Sequence, residues 1–419
     1  MSRRVLAALL GCGLLAGSCA DSNSLTQDDP VEIFVPLDLV GPLAASLAEF
    51  ESETGIDVRV TGTDSFVADL LDQVDAADPP DIAFIPQPGL VAMLRRSGDL
   101  VDLPDEVIAA LDDTLDPRLR PLVAVDGDAV AVPVRLSVKS LVWYRPDVIA
   151  GLGVETPVEL VELVELVGDL RSRGVTPWCF GLDSGGSTGW VATDWSEDLL
   201  LRTAGPDLYD RWVAADLTFA SAEVTEAFDL FDDLIRRPGS VSGGLANALR
   251  TPVRGGINDL FTDPTECVLH RQASFAAQWI PPGFSIGPDR DLDFFVLPGT
   301  DDTAAPLLLG ATVAVAFSDD PFVAMVLNQL SRPDVSDAWV DAGGYITPHQ
   351  TTTNNSPLDG RLRALLESAT TVRIDASDSM RPDIGSQMLW SEITRWVSGS
   401  VSYERFAEAI DEARADPDR

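Results

Sequence analysis

Residues 31–85 read VEIFVPLDLVGPLAASLAEFESETGIDVRVTGTDSFVADLLDQVDAADPPDIAFI, and the period of the apolar residues changes four times along them. Val31 to Leu37 is an apolar run of strand length. From Leu43 to Thr54 the apolar side chains recur at helical spacing (Leu43, Leu47, Phe50) until Gly55 stops the pattern. Ile56 to Val60 alternates with period two, a second strand. Phe66 to Val74 returns to the helical period, and Pro79-Pro80 break the chain before a third strand, Asp81 to Ile85. Strands and helices alternating in this way predict an α/β fold with helices on both faces of a sheet. Ligand crevices are expected beyond the strand C-termini.

The interleaving continues outward. Ala129 to Pro133 and Ser137 to Tyr144 are two extended runs, followed by an amphipathic helix from Pro157 to Arg173 that Gly174 ends. Trp178 to Leu182 reads as a strand and Trp190 to Leu201 as a helix. A helical region from Pro206 to Arg236 precedes a Gly-rich joint at Gly239 to Gly244. Further strands are expected at Cys267 to His270, Asp293 to Leu297 and Leu307 to Phe317. Helices are expected at Phe322 to Leu330, Leu362 to Ala369, Gln387 to Val397 and Tyr403 to Ala415.

Ahead of residue 31 the chain has another character. Arg3 and Arg4 precede an apolar stretch from Val5 to Leu15, and Ala16-Gly17-Ser18 lead into Cys19. This is the charged, apolar, small-residue order of a secretory signal, and the stretch is shorter than the about 20 residues a membrane span needs. A Cys after the small residues resembles a bacterial lipoprotein signal. Residues 1–18 are then the signal peptide, Cys19 carries lipid, and residues 19–30 are a polar tether to an extracytoplasmic domain, in a periplasm or on the outer cell surface. An ordinary cleaved signal with an incidental Cys is the alternative.

The 419 residues carry 67 Asp and Glu against 29 Lys and Arg, a formal net charge of −38. Nucleic acid and bare anionic membrane are excluded as partners, since both are bound through basic patches. Lys139 is the only lysine. Arginine differs from lysine in geometry and desolvation, so the one ammonium left in place is a candidate site residue. Cys179 and Cys267 remain after the signal, an even pair in an oxidising compartment. Two states are open to them: buried free thiols, or the expected disulfide, closing a loop of about 90 residues and contributing about 4–5 kcal/mol on the chain-entropy account.

Catalytic constellations are sparse. Gly185-Gly-Ser-Thr-Gly189 satisfies G-x-S-x-G between a strand and a helix, and His270 or His349 would have to serve as base. An esterase on Ser187 is the enzyme reading; a Gly- and Ser-rich loop opening a helix is the other. No H-E-x-x-H, Cys/His cluster or EF-hand loop occurs. Neither a metal nor a cofactor is expected, and the chain reads as a non-enzyme.

Aromatic residues carry more information. Trp143, Tyr144, Trp178, Trp190, Trp195, Trp279 and Trp390 sit at element ends beside polar partners such as Lys139, Asp194, Arg271 and Gln272. Indoles stack on apolar sugar faces while charged planar groups hydrogen-bond hydroxyls, so the mixture suits a carbohydrate site. Ala129-Val-Ala-Val-Pro-Val-Arg-Leu-Ser-Val-Lys-Ser-Leu-Val-Trp-Tyr144 resembles the crossover segment of bacterial extracellular solute-binding proteins for sugars. Thr176-Pro-Trp-Cys179 with Gly189-Trp-Val-Ala-Thr-Asp-Trp195, Cys267-Val-Leu-His-Arg-Gln-Ala-Ser-Phe275 and Ser377-Asp-Ser-Met380 are similar to the α-glucoside receptors of ABC importers. Pro86-Gln-Pro-Gly89 and Leu309-Gly310 fit the same family.

The resemblance implies a two-lobed periplasmic-binding-protein-like fold of type II, with hinge strands between the lobes. Lobe one would comprise residues 31–136 and 307–343, lobe two residues 137–306 and 344–419. It further implies a monomer that takes a carbohydrate between its lobes and delivers it to a membrane permease. Asp38 and Gln87 would contact ligand from lobe one, Arg135 and Lys139 at the crossover, and Trp190, Asp194, Phe275 and Trp390 from lobe two. A receptor of the same build for a non-sugar solute, such as an amino acid or polyamine, is the remaining alternative.

Overall fold

The first strand, β1 (Val31–Pro36), turns after Leu39 into α1 (Val40–Thr54), whose buried face is Leu43, Leu47 and Phe50. Burying such side chains contributes about 1.5–3 kcal/mol each. Gly55, at φ 74°, closes α1 in the left-handed conformation that favours glycine. β2 (Val58–Thr63), α2 (Phe66–Asp75), β3 (Ile82–Ile85) and α3 (Pro88–Ser97) follow. The structure, a computed structural model, describes residue 27 and residues 29–301, 305–351 and 356–416. Cys19, the signal and most of the tether lie outside the described residues.

β1 pairs in parallel with β2 on one side and β3 on the other. The sheet extends through β4 (Val132–Val138), β8 (Leu307–Ala316) and β9 (Val372–Ile374): β8 is antiparallel to β3 and β4 and parallel to β9. Period-two alternation assigns its side chains to opposite faces. Ile33, Val35, Ile82, Phe84, Ala314 and Ala316 enter one core, and Phe34, Ala83, Ile85, Val313 and Val315 another.

The second lobe is built on a three-stranded sheet with β5 (Leu141–Tyr144) between β6 (Leu269–Arg271) and β7 (Asp293–Val296). Around it lie α4 (Leu160–Ser172), whose N-terminus Glu159 and Glu162 cap reciprocally, and α5 (Trp190–Thr203). A four-residue helix, α6 (Ala376–Ser379), α7 (Trp390–Val397) and α8 (Tyr403–Ala415) complete it. Its core holds Trp195, Phe228, Trp396 and Phe406. The molecule is two-lobed, and a further core of Leu136, Val138, Leu307, Leu309, Ile346 and Leu362 fills the seam. Both β4 and β8 pass from the first lobe's core into this seam.

Cys179 and Cys267 are bonded, with Cα atoms 5.4 Å apart, and join the segment after α4 to the start of β6. Two expectations need correction. Trp178 to Leu182 is not a strand: Trp178 makes only isolated bridges to Val241 and Leu269, and Asp183 one to Pro252. Its N–H groups are shared among unconnected partners, Trp178 donating to Ser240 and Cys179 to Leu269, so no ladder builds. The break between the two extended runs falls at Lys139-Ser140, because the ladder with β8 continues as far as Val138.

Candidate functional site

β1 and β3 are adjacent parallel strands whose connections leave in opposite directions, the arrangement that opens a crevice at their C-terminal ends. Asp38 lies two residues beyond β1 and is exposed; Gln87 lies two beyond β3. Pro88 starts α3 directly after Gln87, whose carbonyl accepts from Leu90 at 3.0 Å. The Gln87 side chain is turned inward, and its Oε1 is buried without a partner.

Along β4 the period of two puts Arg135, Ser137 and Lys139 on one face. Thr312 and Gly310 of β8 stand opposite Arg135 and Ser137. A register shift separates Arg135 from Pro133, a bulge at the residue before which the ladder loses a donor. Arg135 donates to Thr312 Oγ1 at 3.2 Å and lies 4.1 Å over the Tyr345 ring. Gly310 is open for a reason: a Cβ there would stand 2.9 Å from Lys139 Cε.

Lys139 is buried. Its Nζ donates to Asp194 Oδ1 at 2.9 Å and to Asp375, and Asp378 Oδ2 stands 3.7 Å away. Asp194 is on α5 one turn after Trp190. Asp375 caps α6, accepting from the Asp378 N–H at 3.1 Å and from Ser377 Oγ at 2.9 Å. Behind Asp194, Arg271 of β6 reaches Asp198 at 2.9 Å, and Asp198 also takes Arg202 and the Ser140 hydroxyl. The N–H groups of Ala376 and Ser377 donate to Glu197 at 2.8 and 3.1 Å.

Burial works against a charged Lys139, yet Asp194, Asp375 and Asp378 outweigh it and hold the ammonium well above its usual range. Three carboxylates cannot all ionise against one ammonium. Burial opposes the ionised Asp375 too, but Lys139 and surrounding hydrogen bonds hold it well below the usual carboxylate range. Burial raises Asp194 well above that range, and it raises Glu197 likewise, with the Asp375 charge adding to both.

Aromatic rings lie against these charged groups, with Lys139 Nζ 5.7 Å over the Trp190 ring. Phe275 lies 6.2 Å from Trp190, 5.4 Å from Trp279 and 6.0 Å from Tyr345, centroid to centroid. Gly189 ends the preceding loop at φ 122°, and a Cβ there would be 2.2 Å from the Trp390 carbonyl oxygen. Two helix starts therefore meet through a glycine, and Trp390 is set beside Trp190. Trp390 is 8% exposed, with Nε1 buried and unpartnered.

Asp38, Gln87, Arg135, Lys139, Trp190, Asp194, Phe275 and Trp390 all line one cavity of about 330 Å3. An outer cavity of about 560 Å3 adjoins it, sharing Asp38, Gln87 and Trp390. The same inner cavity is lined by residues the sequence did not name as ligand contacts: Arg254, Gln278, Tyr345, Asp375 and, within the stretch Ser377–Met380, Asp378. The signal shared by the two carboxylates is Lys139 itself, since a buried ammonium requires counter-charges. Trp143, Trp178 and Trp195 are at most 1% exposed and belong to the core.

Ser187 lines the cavity, but neither His does. His270 is buried with Nδ1 on the Cys179 carbonyl at 2.9 Å, and His349 pairs with Thr114 at 2.9 Å. Among the described residues no group of His, Cys, Asp and Glu is arranged to hold a metal ion.

The family described as bacterial extracellular solute-binding protein matches residues 38–252. Over 365 residues the chain is 38% identical to the osmoprotective compounds-binding protein GgtB of Synechocystis sp., covering 85% of each. It is 35% identical over 371 residues to the alpha-glucosides-binding periplasmic protein AglE of Rhizobium meliloti, covering 85% of this chain and 80% of the relative. Among solved structures, the bacterial solute receptor AcbH superposes with a TM-score of 0.76 at 16% identity, over 92% of this chain and 98% of that one. RafE in complex with raffinose gives 0.70 at 18% identity, over 92% and 98%. These structural likenesses establish the fold.

Proposed function

Because the chain belongs to the bacterial extracellular solute-binding protein family, we propose that it is the lipid-anchored receptor of an ABC importer. It captures a carbohydrate, an α-glucoside or another oligosaccharide, between lobes of residues 31–136 plus 307–343 and 137–306 plus 344–419, and hands it to the permease as a monomer. The observation that carries this reading is the single cavity to which the ends of β1 and β3, the crossing strands, and α5 to α7 all contribute. A ligand there touches both lobes at once, which is what makes the closed state the preferred one when ligand is present. The cavity interleaves aromatic rings with charged hydrogen-bonding groups, the chemistry of a sugar with apolar faces and a hydroxyl rim. The reading requires no cofactor and no bond chemistry.

Calorimetry against trehalose, maltose, sucrose, raffinose and glucose, with an amino acid and a polyamine as non-sugar controls, tests it. Saturable binding of at least one α-glucoside is expected. Trp390→Ala should weaken that binding by about 2–4 kcal/mol in the folded fraction. Binding of the controls alone would move the reading to a non-sugar receptor, and turnover of p-nitrophenyl esters that Ser187→Ala abolishes would restore the esterase. For the anchor, Cys19→Ser is expected to release the protein from the membrane fraction.

A further inference from the structure

Of the carboxylates around Lys139, two are engaged by it, although Asp194 Oδ2 has no hydrogen bond and stands 3.6 Å from Arg271. Asp194 and Asp375 take the ammonium directly, and Asp375 also accepts from Ser377 Oγ and the Asp378 N–H. Asp378 is different. Its nearest cation is Lys139 at 3.7 Å, beyond hydrogen-bond reach, and its side chain keeps 14% exposure on the cavity wall. It is the surplus carboxylate of the cluster, and the most exposed of the three that line the cavity.

We propose that Asp378 is the carboxylate on which the ligand closes, accepting a pair of ligand hydroxyls in its ionised form, so that capture is coupled to the loss of its proton to solvent. The proposal rests on the receptor reading above. A carboxylate accepting two hydroxyl donors makes charge-assisted bonds that the protonated acid cannot match. Donors that favour the charged form lower the pKa of the group.

The free protein is poised for such a release. Burial first, and then the charge of Asp375, push Asp378 up to about 7 against the pull of Lys139. The groups facing it come from every neighbouring element. Lys139 follows β4, Asp194 and Glu197 lie on α5 with Arg271 behind them, and Asp375 caps its own helix. On the other flanks the Tyr209 hydroxyl is bonded to the Ile374 carbonyl, and Arg381 is paired with Asp383 at the surface. Arg95 and Arg96 of α3 are paired with Asp102 and Asp126. Among the described residues Lys139 is the one cation within 4 Å of the Asp378 carboxylate, and it is already shared.

The linkage has a definite sign. Binding prefers the ionised acid, so affinity is flat well above pH 7 and weakens by up to about tenfold per pH unit below it. The test is titration calorimetry of the full chain with its best carbohydrate at pH 6.5, in phosphate and in imidazole buffer, whose ionisation enthalpies differ. The expected result is a binding enthalpy that changes with the buffer, corresponding to between half and one proton released. In Asp378→Asn the affinity should fall about 10- to 100-fold and the buffer dependence should vanish; Asp378→Ser, checked for an unchanged melting temperature, guards against a misfolded variant. Buffer-independent enthalpy in the wild type, or proton release that survives in both variants, would overturn the proposal alone. Failure of every carbohydrate to bind would overturn the receptor reading and this proposal with it.

Discussion

At the scale of single residues the lone lysine carries the longest chain of consequence. Breaking a buried ion pair costs about 3–5 kcal/mol because the stranded partner stays buried. Lys139→Met is therefore expected to lose that much stability at pH 7, measured by denaturant unfolding. Without the ammonium the carboxylates Asp194, Asp375 and Asp378 repel one another and bind protons more readily, so the deficit should shrink as pH falls from 7 towards 5. A deficit constant across that range would mean the carboxylates do not depend on Lys139. Lys139 was legible as a candidate because a second residue type marked it out in an otherwise arginine-only chain. Asp375 was not, since in a sequence of 67 acids no single Asp is distinctive; Asp378 sits in the family-like stretch Ser377–Met380 but carried no role there, and only the fold brings both within reach of the ammonium.

Among elements, legibility followed periodicity. Where the apolar residues repeat cleanly, as in α1, α2 and Tyr403–Ala415, expectation and structure agree to within a few residues. It failed where hydrogen bonds, not side-chain pattern, decide: Trp178 to Leu182 is apolar and β-like, yet finds no continuous partner. The join between α5 and α7 was equally invisible, because Gly189 in a run of Gly and Ser reads as loop. Its glycine conformation and the Trp390 carbonyl pressed against it leave no room for a methyl group. Gly189→Ala should cost about 2 kcal/mol or more and, by pushing α7 outward, should also weaken carbohydrate binding. A variant that melts lower but binds with wild-type affinity would separate Trp390 from the ligand.

Across the whole molecule both histidines report on burial. His270 and His349 are each held down to about 4 by desolvation, with Nε2 unpartnered in each. An unfolded His takes up its proton near pH 6.5, so the unfolded state gains protons first and stability falls as pH drops from about 6.5 to about 4. Each contributes up to about 3 kcal/mol to that loss. The carboxylates also titrate, so the measurement is a difference. The melting temperature of wild type minus that of a His270→Gln/His349→Gln variant should decrease as pH falls from 7 to 4.5. A pH-independent difference would contradict it.

β8 has all ten of its residues buried, with β4 along one edge and β3 and β9 along the other. Neither lobe owns it. Melting one half of the molecule strips a neighbour from the strand that the other half is built around, so a half-unfolded chain would hold a central strand with an unsatisfied edge and no gain to offset it. Two lobes on a common beam should thus lose their order as one cooperative unit. Scanning calorimetry is expected to give a single transition with equal calorimetric and van't Hoff enthalpies, and two resolved peaks would show that the beam can be cut.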